Sequence, residues 1–204
     1  MTRPSFPLFQ SHLDLAHSYW QKILRSGDIA IDATCGNGHD TLFLAKSIGA
    51  EGQLFAIDIQ QQALSACRQR IEMEISKELQ SHIHFYHQCH STFPKEIEPG
   101  TVKLIVYNLG YLPGGDKEKT TLSNTTCTSL KNALPLICPG GAISVTCYPG
   151  HPAGKIEEGA LLQFAQSLSP LVWSCCHHRW INRQDAPSLL LLLNGQMDNG
   201  PKWT

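Results

Sequence analysis

Residues 29–44 read I-A-I-D-A-T-C-G-N-G-H-D-T-L-F-L, and the fold is decided there. A short β-type apolar run, Ile29-Ala30-Ile31, ends on a carboxylate, Asp32. A tight segment holding Gly36 and Gly38 follows, and then a helix opens with an apolar face at Leu42-Phe43-Leu44. Strand, glycine loop and helix in that order bring backbone N–H groups and a helix N-terminus up to a bound ligand.

Two details narrow that ligand. A dinucleotide fingerprint wants a third glycine three residues after the second, for close packing of helix on strand. That place is held by β-branched Thr41. Asp32 stands at the mouth of the loop, where a pyrophosphate would be repelled and an ammonium group welcome. Loop and carboxylate together favour S-adenosyl-L-methionine over NAD, with NAD kept as the alternative on this segment alone.

The chain of 204 residues suits one well-filled core and is short for two. At 42% hydrophobic and 16% charged it is an ordinary globular sequence, not a disordered one. The longest apolar run, residues 189–193, is far below a membrane span, and the first seven residues hold no signal core. A cytoplasmic protein with no membrane partner is expected, as one domain over 1–204 with a helical lead-in (1–28) and a loose tail (195–204). None of the eight cysteines lies in a C-x-x-C pair. Cys35, Cys89, Cys147, Cys175 and Cys176 fall in or at the ends of expected buried strands, as reduced core thiols would. The formal charge of −1 makes no overall case for nucleic acid, which would need a local patch.

Periodicity predicts a helix over 8–25, with Leu13, Ala16, Trp20 and Ile23-Leu24 on one side, and another over 39–48. A second strand, 53–57, again ends on a carboxylate, Asp58, before a long helix over 59–79. Strands are expected over 83–89, 102–107 and 142–148, and helices over 123–137 and 156–168. Two final β runs, 171–180 and 188–194, have no helix between them and are expected to pair antiparallel. The fold class is therefore α/β: a seven-stranded, mostly parallel Rossmann-like sheet with helices on both faces and an antiparallel last strand, the class I methyltransferase architecture. Ligands in such sheets bind beyond the carboxyl ends of the strands, where Asp32, Asp58, His90, Asn108 and residues 148–151 all fall.

Each of these residues has more than one reading. Asp58 can accept both ribose hydroxyls, or simply cap the next helix. Asn108-Leu109-Gly110-Tyr111 resembles the Asn/Asp-Pro-Pro-Tyr/Phe segment of amino-directed methyltransferases, whose amide oxygen holds the amine while the aromatic ring stacks on the substrate; it is equally a turn. His151 is open as a base, a substrate contact or a loop residue, and His90 as a border of the adenine or a strand-end histidine. The histidines at 82, 84, 87 and 90 and the run Cys175-Cys176-His177-His178 lack zinc spacing, so no metal is expected. Lys117, Lys119, Lys155 and Arg183 lie in expected loops on the ligand side and could meet phosphate.

Taken together, D-A-T-C-G-N-G-H-D-T-L-F-L-A, F-A-I-D-I-Q, Y-N-L-G-Y-L-P-G-G-D-K, Y-P-G-H-P-A-G-K-I-E-E and N-R-Q-D-A-P resemble the MnmM (YtqB-type) family over residues 10–194. The block N-L-G-Y-L-P-G-G-D-K is the most specific piece. The resemblance implies a class I methyltransferase, often labelled an rRNA methylase, that methylates the aminomethyl group of 5-aminomethyl-2-thiouridine at the tRNA wobble position. Carried over by position, Asp32, Gly36, Asn37, Gly38, His39, Asp40 and Thr41 surround the methionine half of the cofactor. Asp58 and Gln60 hold the ribose, and His90 lies near the adenine. Asn108, Tyr111, Gly114, Asp116, Tyr148 and His151 line the acceptor pocket, Asn108 also bordering the cofactor, and Arg183 is a contact for the anticodon stem-loop. Cys35 departs from the small apolar residue common at its place, and Arg183 interrupts a usually contiguous Asn-Gln.

An alkylamine with a solution pKa near ~10 arrives protonated and cannot attack until it loses a proton, to water or through His151. Asn108, Tyr111 and His151 are thus the catalytic candidates, working by positioning, with no covalent intermediate. Methylation of rRNA or of a small amine, an NAD-binding module, and an RNA-binding protein with an inactive cofactor site are the competing readings. Homodimerisation is left open.

Overall fold

A computed structural model describes residues 11–110, 123–183 and 185–195. The expected N-terminal helix is α1, His12–Ile23. Ser11 caps it, accepting from the Asp14 N–H while the Asp14 carboxylate takes the Ser11 N–H, a reciprocal capping box. Strand β1 (Ile29–Asp32), helix α2 (His39–Ile48) and strand β2 (Gln53–Asp58) follow. The long helix expected over 59–79 is instead two. Helix α3 spans Gln61–Glu74, Ile75 turns extended, and a fresh cap at Ser76 starts the short α4, Lys77–Gln80.

The rest runs β3 (Ile83–His87), β4 (Val102–Asn108), α5 (Ser123–Ala133), β5 (Ile137–Cys147), α6 (Pro152–Gln166), β6 (Trp173–His178) and β7 (Ser188–Asn194). After α5, a 3₁₀ turn at Leu134–Leu136 replaces the end of the expected helix, because Pro135 cannot donate to the helical ladder. Strand β5 begins earlier than expected. Val102 pairs with Ile137 but Leu104 with Ala142, so Pro139-Gly140-Gly141 sits in a bulge and does not end the strand. The Asn194 amide ties that bulge down by donating to the carbonyls of Ile137 and Cys138. Helix α6 also starts early. Pro152 takes the first helical position, where its missing N–H costs nothing, and His151 caps it. Lys155 therefore belongs to a helix and not to a loop.

The seven strands form one sheet in the order β3-β2-β1-β4-β5-β7-β6. All neighbours are parallel except β7, which runs antiparallel to both β5 and β6. Side chains alternate between two cores. Ala30, Leu104 and Val106 pack with Ala16, Trp20, Leu44 and Leu64 from α1, α2 and α3. Their neighbours Ile31, Ile105 and Tyr107 face the other way, onto Leu130 and Ala133 of α5 and Leu161 and Ala165 of α6. Trp20 anchors α1 to the sheet: it is 1% exposed and its Nε1 donates to the Ser144 Oγ of β5 at 2.9 Å. Burial of a ring that size contributes about 3 kcal/mol.

Cys175 and Cys176 are exposed, against expectation. Insertion of β7 makes β6 the sheet edge, and only Trp173 of that strand is buried. Among the described residues no helix is long and apolar enough to cross a membrane.

Candidate active site

The sequence order of the strands reverses between β1 and β4, the point at which open α/β sheets form a ligand crevice beyond the carboxyl ends of their strands. Asp32 pairs with Val106 across the two strands, so Asn108 projects two residues beyond Asp32. The Asn108 N–H donates to Thr34 Oγ1 at 2.7 Å and the Leu109 N–H to the Thr146 carbonyl, which fixes the end of β4 between its neighbours.

The loop 33–38 is held by its own backbone. The Cys35 N–H donates to the Ile57 carbonyl and the Gly38 N–H to the Cys35 carbonyl, while Arg70 Nε from α3 holds the Asn37 carbonyl at 2.7 Å. Gly36 and Gly38 both have positive φ, 48° and 80°. At Gly38 a Cβ would lie 2.8 Å from Cys67 Sγ and 2.9 Å from Cys67 Cα, so the position is closed to side chains. Gly38→Ala should cost about 3 kcal/mol, adding left-handed strain to overpacking, and lower the Tm by roughly 6–12 °C. Gly27→Ala isolates the strain component, since Gly27 also has positive φ but nothing within 4 Å of its Cβ. Thermal melts of the two should differ by more than half of the larger shift. Equal shifts would mean that the Cys67 contact is relieved by movement.

Asp32 is fully buried. Its Oδ2 accepts the Thr41 hydroxyl at 2.6 Å and its Oδ1 the Thr34 N–H at 3.2 Å. Thr41, the residue standing where a dinucleotide site would have glycine, therefore holds this carboxylate in place. Burial first, and the nearby Asp40 second, push the Asp32 pKa up to about 7. A buried carboxylate with two acidic neighbours and only neutral donors would be stabilised by a cation beside it. Asp58, at the end of β2, accepts the Gly36 N–H on Oδ2 at 3.0 Å and the Gln60 N–H on Oδ1 at 2.8 Å. It thus joins the glycine loop to Gln60, the residue that leads into α3, as a charged acceptor able to take a further hydrogen bond. Asp58 does not cap α3, whose N-cap is Gln60 and has no side-chain cap bond. Burial raises its pKa as well.

His90 follows β3, in a segment tied to Asp58 by the Gln88 N–H bond to the Asp58 carbonyl. Its ring stands edge-on to Tyr107 at 5.9 Å, and its buried Nε2 has no hydrogen-bond partner. Burial drops its pKa to about 4, so the ring is neutral and offers one unspent donor or acceptor. An orphaned ring nitrogen, a buried carboxylate with neutral donors only and a strand-end carboxylate are groups with which S-adenosylmethionine is compatible: His90 would border the adenine, Asp32 would meet the ammonium and Asp58 the ribose.

Around Asn108, where the acceptor is expected, runs a chain of hydrogen bonds that the sequence only partly discloses. Asn108 Nδ2 donates to Asp40 Oδ2 at 3.1 Å, and the Tyr148 hydroxyl donates to Asn108 Oδ1 at 2.7 Å. Two histidines of α1 close the ends: His17 Nε2 lies 2.8 Å from Asp40 Oδ1, and His12 Nε2 lies 3.0 Å from the Tyr148 hydroxyl. Asp40 thus faces Asn108 and α1, and not the loop. His39 is exposed.

His151, open in the sequence as a base, a substrate contact or a loop residue, is the N-cap of α6. Its Nδ1 accepts the Gly154 N–H at 3.1 Å as the N-cap of α6, so in the neutral ring the proton sits on Nε2 and no lone pair remains for a base. Arg183 lies in the β6–β7 connection with its guanidinium 4.5 Å over Trp180. Beside it a cavity of about 190 Å³ is lined by Pro149, Lys155, Arg179 and Asp185 among others, and Lys155 Nζ pairs with Asp185 at 2.8 Å. Tyr111, Gly114, Asp116, Lys117, Lys119 and Gln184 lie outside the described residues.

A family profile described as "Putative rRNA methylase" matches residues 54–194. Across 185 residues, 88% of this chain and 68% of the other, the sequence is 37% identical to an Arabidopsis thaliana protein named tRNA (mnm(5)s(2)U34)-methyltransferase, chloroplastic. A crystal structure from Clostridium thermocellum carrying the same rRNA-methylase description is 31% identical, with a TM-score of 0.84 over 91% of this chain and 98% of that one. A Streptococcus mutans methyltransferase solved in complex with SAH is 28% identical, with a TM-score of 0.79 over 91% and 99%. The matched span begins within β2, after α1, β1 and α2. The chain belongs to that family of class I methyltransferases, whose methyl donor is S-adenosylmethionine.

Proposed function

We propose that the chain methylates the primary amine of 5-aminomethyl-2-thiouridine at the tRNA wobble position, giving 5-methylaminomethyl-2-thiouridine. The name of the Arabidopsis relative supports the substrate. The observation that carries the amine chemistry is the fixed amide of Asn108. Asp40 Oδ2 takes the Nδ2 hydrogen, so the amide cannot turn, and Oδ1 faces the acceptor side as an acceptor. One lone pair of that oxygen receives the Tyr148 hydroxyl, and the other is open to an amine hydrogen. Bound S-adenosylmethionine supplies an electrophilic methyl on a sulfonium. Asn108 aims the amine lone pair, Asp32 and Asp58 fix the donor, and alignment supplies much of the rate.

The RNA is proposed to lie across Trp180, Arg183 and Arg179, beside the β5–α6 loop that carries Tyr148. Guanidinium and indole suit a stacked base and a phosphate, which a chain of near-neutral charge needs only locally. The proposed compartment is the cytoplasm, supported by eight free cysteines. The family description favours rRNA as a second reading.

Methyl transfer should be measured on an anticodon stem-loop carrying 5-aminomethyl-2-thiouridine, on the same stem-loop without the aminomethyl group, and on rRNA fragments. Transfer to the first alone is expected. Transfer to rRNA with none to the modified stem-loop would reject the tRNA assignment.

A further inference from the structure

The proposed reaction has to remove one proton from an ammonium group, and His151 is committed to capping α6 through Nδ1. A Cβ at Gly154 would come within 3.0 Å of His151 Nε2 and 2.1 Å of the Tyr148 carbonyl, so that imidazole is wedged against the turn it caps. Another imidazole reaches the acceptor side from α1. His12 Nε2 lies 3.0 Å from the Tyr148 hydroxyl, which lies 2.7 Å from Asn108 Oδ1. The two rings meet edge to face, 5.2 Å between centroids and 87° between planes, which fixes the approach. Three atoms in file, Asn108 Oδ1, Tyr148 Oη and His12 Nε2, connect the proposed amine position to a base.

We infer that His12 takes the proton of the substrate amine through the Tyr148 hydroxyl; the inference rests on the amine methyltransferase reading proposed above. When the ammonium donates to Asn108 Oδ1 and to Tyr148 Oη, the tyrosine hydrogen is displaced from Asn108 and turns to His12. With the tyrosine hydrogen on Asn108 the ring rests as the Nε2–H tautomer and donates to Tyr148. It accepts as the Nδ1–H tautomer, reached by giving up the Nε2 proton to solvent and taking one on Nδ1, with its lone pair then on Nε2. One N–H bond of the ammonium then breaks and leaves its electron pair on nitrogen. A new O–H bond forms on Tyr148 as the old one breaks, and an N–H bond forms on His12 Nε2. The positive charge has moved to the imidazole, and the neutral amine uses its freed pair for the new C–N bond. Tyr148 is never a phenolate, as befits a phenol whose pKa burial and Asp40 push up to about 12.

The groups facing His12 suit this role. Burial lowers its pKa, so it rests neutral and able to accept near pH 7. Asp40 on α2 and Asp14 on its own helix act in the opposite sense and stabilise the charge once it has arrived. His17 holds the outer oxygen of Asp40, which keeps the inner one on Asn108. Tyr148 is thus a catalytic residue, in contact with the amine, and His12 acts through it.

The test uses the full chain and the modified anticodon stem-loop. Single-turnover methyl transfer is followed from pH 6 to 9.5, with SAH affinity as the check on folding. His12→Gln can still hydrogen-bond the Tyr148 hydroxyl, as donor or acceptor, but cannot take a proton. Its rate should fall about 100-fold at pH 7, with the deficit shrinking to a few-fold by pH 9.5 as solvent removes the proton, and SAH affinity should stay within about twofold. If this variant does not bind SAH, His12→Ala with added imidazole decides: restored transfer supports the relay, and no restoration overturns it. A wild-type rate in His12→Gln, or a deficit of the same size at every pH, also overturns the relay while leaving the substrate assignment intact. A wild-type protein that binds SAH but leaves the modified stem-loop unmethylated overturns both.

Discussion

Asp32→Asn is expected to stabilise the ligand-free protein above neutral pH while weakening SAH binding at least ~30-fold, the size of one lost charge-assisted contact. Asp32 is 0% exposed, its hydrogen-bond donors are the neutral Thr41 and Thr34, and Asp40 and Asp58 add repulsion. Its pKa stands at about 7 against an ordinary 3.8. A carboxyl group whose pKa is raised on folding binds more protons in the native state than in the unfolded one. Stability therefore falls as pH rises from about 4 to about 7 and stays low above that. The gap corresponds to a cost on the order of 4 kcal/mol at pH 8. Asparagine avoids the charge but gives up a strong acceptor for Thr41, so a net gain of about 2 kcal/mol at pH 8 is expected. At pH 5, where the native carboxyl group is already protonated, the gain should be near zero. Urea unfolding at the two pH values measures both. A variant no more stable than wild type at pH 8 would show that Asp32 does not carry its charge at that cost. Ligand affinity supplies the other half. Wild-type SAH binding should weaken below pH 7, where Asp32 must first lose its proton, and again above about 8, as the ligand's α-amino group becomes neutral.

Residues 29–44 were legible because local rules act there without help from the rest of the chain. Glycines at positive φ, an apolar run of strand length and a helix that stops at Gly49 leave one arrangement. The same rules found Asp58 and Asn108 at strand ends. They could not find His12 and His17. Both sit on an amphipathic helix whose polar face looks solvated, yet their partners lie 136 and 23 residues away. Nothing local marks a histidine as facing a phenol from another strand end. Cys175 and Cys176 were misplaced for a related reason: an apolar run reads alike in a central and an edge strand, and only the insertion of β7 decides which is which. The early start of α6 was within reach, since Gly-His-Pro offers a cap followed by proline at the first helical position. Recognising that cap would also have told against His151 as a base.

Truncating Asn108 to alanine should lower kcat by about a thousandfold, combining loss of alignment with loss of a preorganised acceptor. SAH affinity should change by less than about threefold, because the Asp32, Asp58 and glycine-loop contacts do not pass through the Asn108 side chain. Removal of the amide also leaves Asp40 Oδ2 without that donor, while the Tyr148 hydroxyl keeps His12 as a partner, so stability should drop by about 1–3 kcal/mol. That drop gives the experiment its resolution, since an inactive variant that still binds SAH and melts cooperatively has lost chemistry and not fold. Asn108→Asp makes the sharper comparison. The introduced carboxyl group would lie about 3 Å from Asp40 Oδ2, and two carboxylates so close share one proton. Held neutral on that side, its other oxygen can still accept the amine. This variant should keep more activity than alanine below pH 7 and lose the advantage as pH rises and the shared proton leaves. Equal losses of kcat and SAH affinity in the alanine variant would place Asn108 on the donor side of the crevice and remove it from amine positioning.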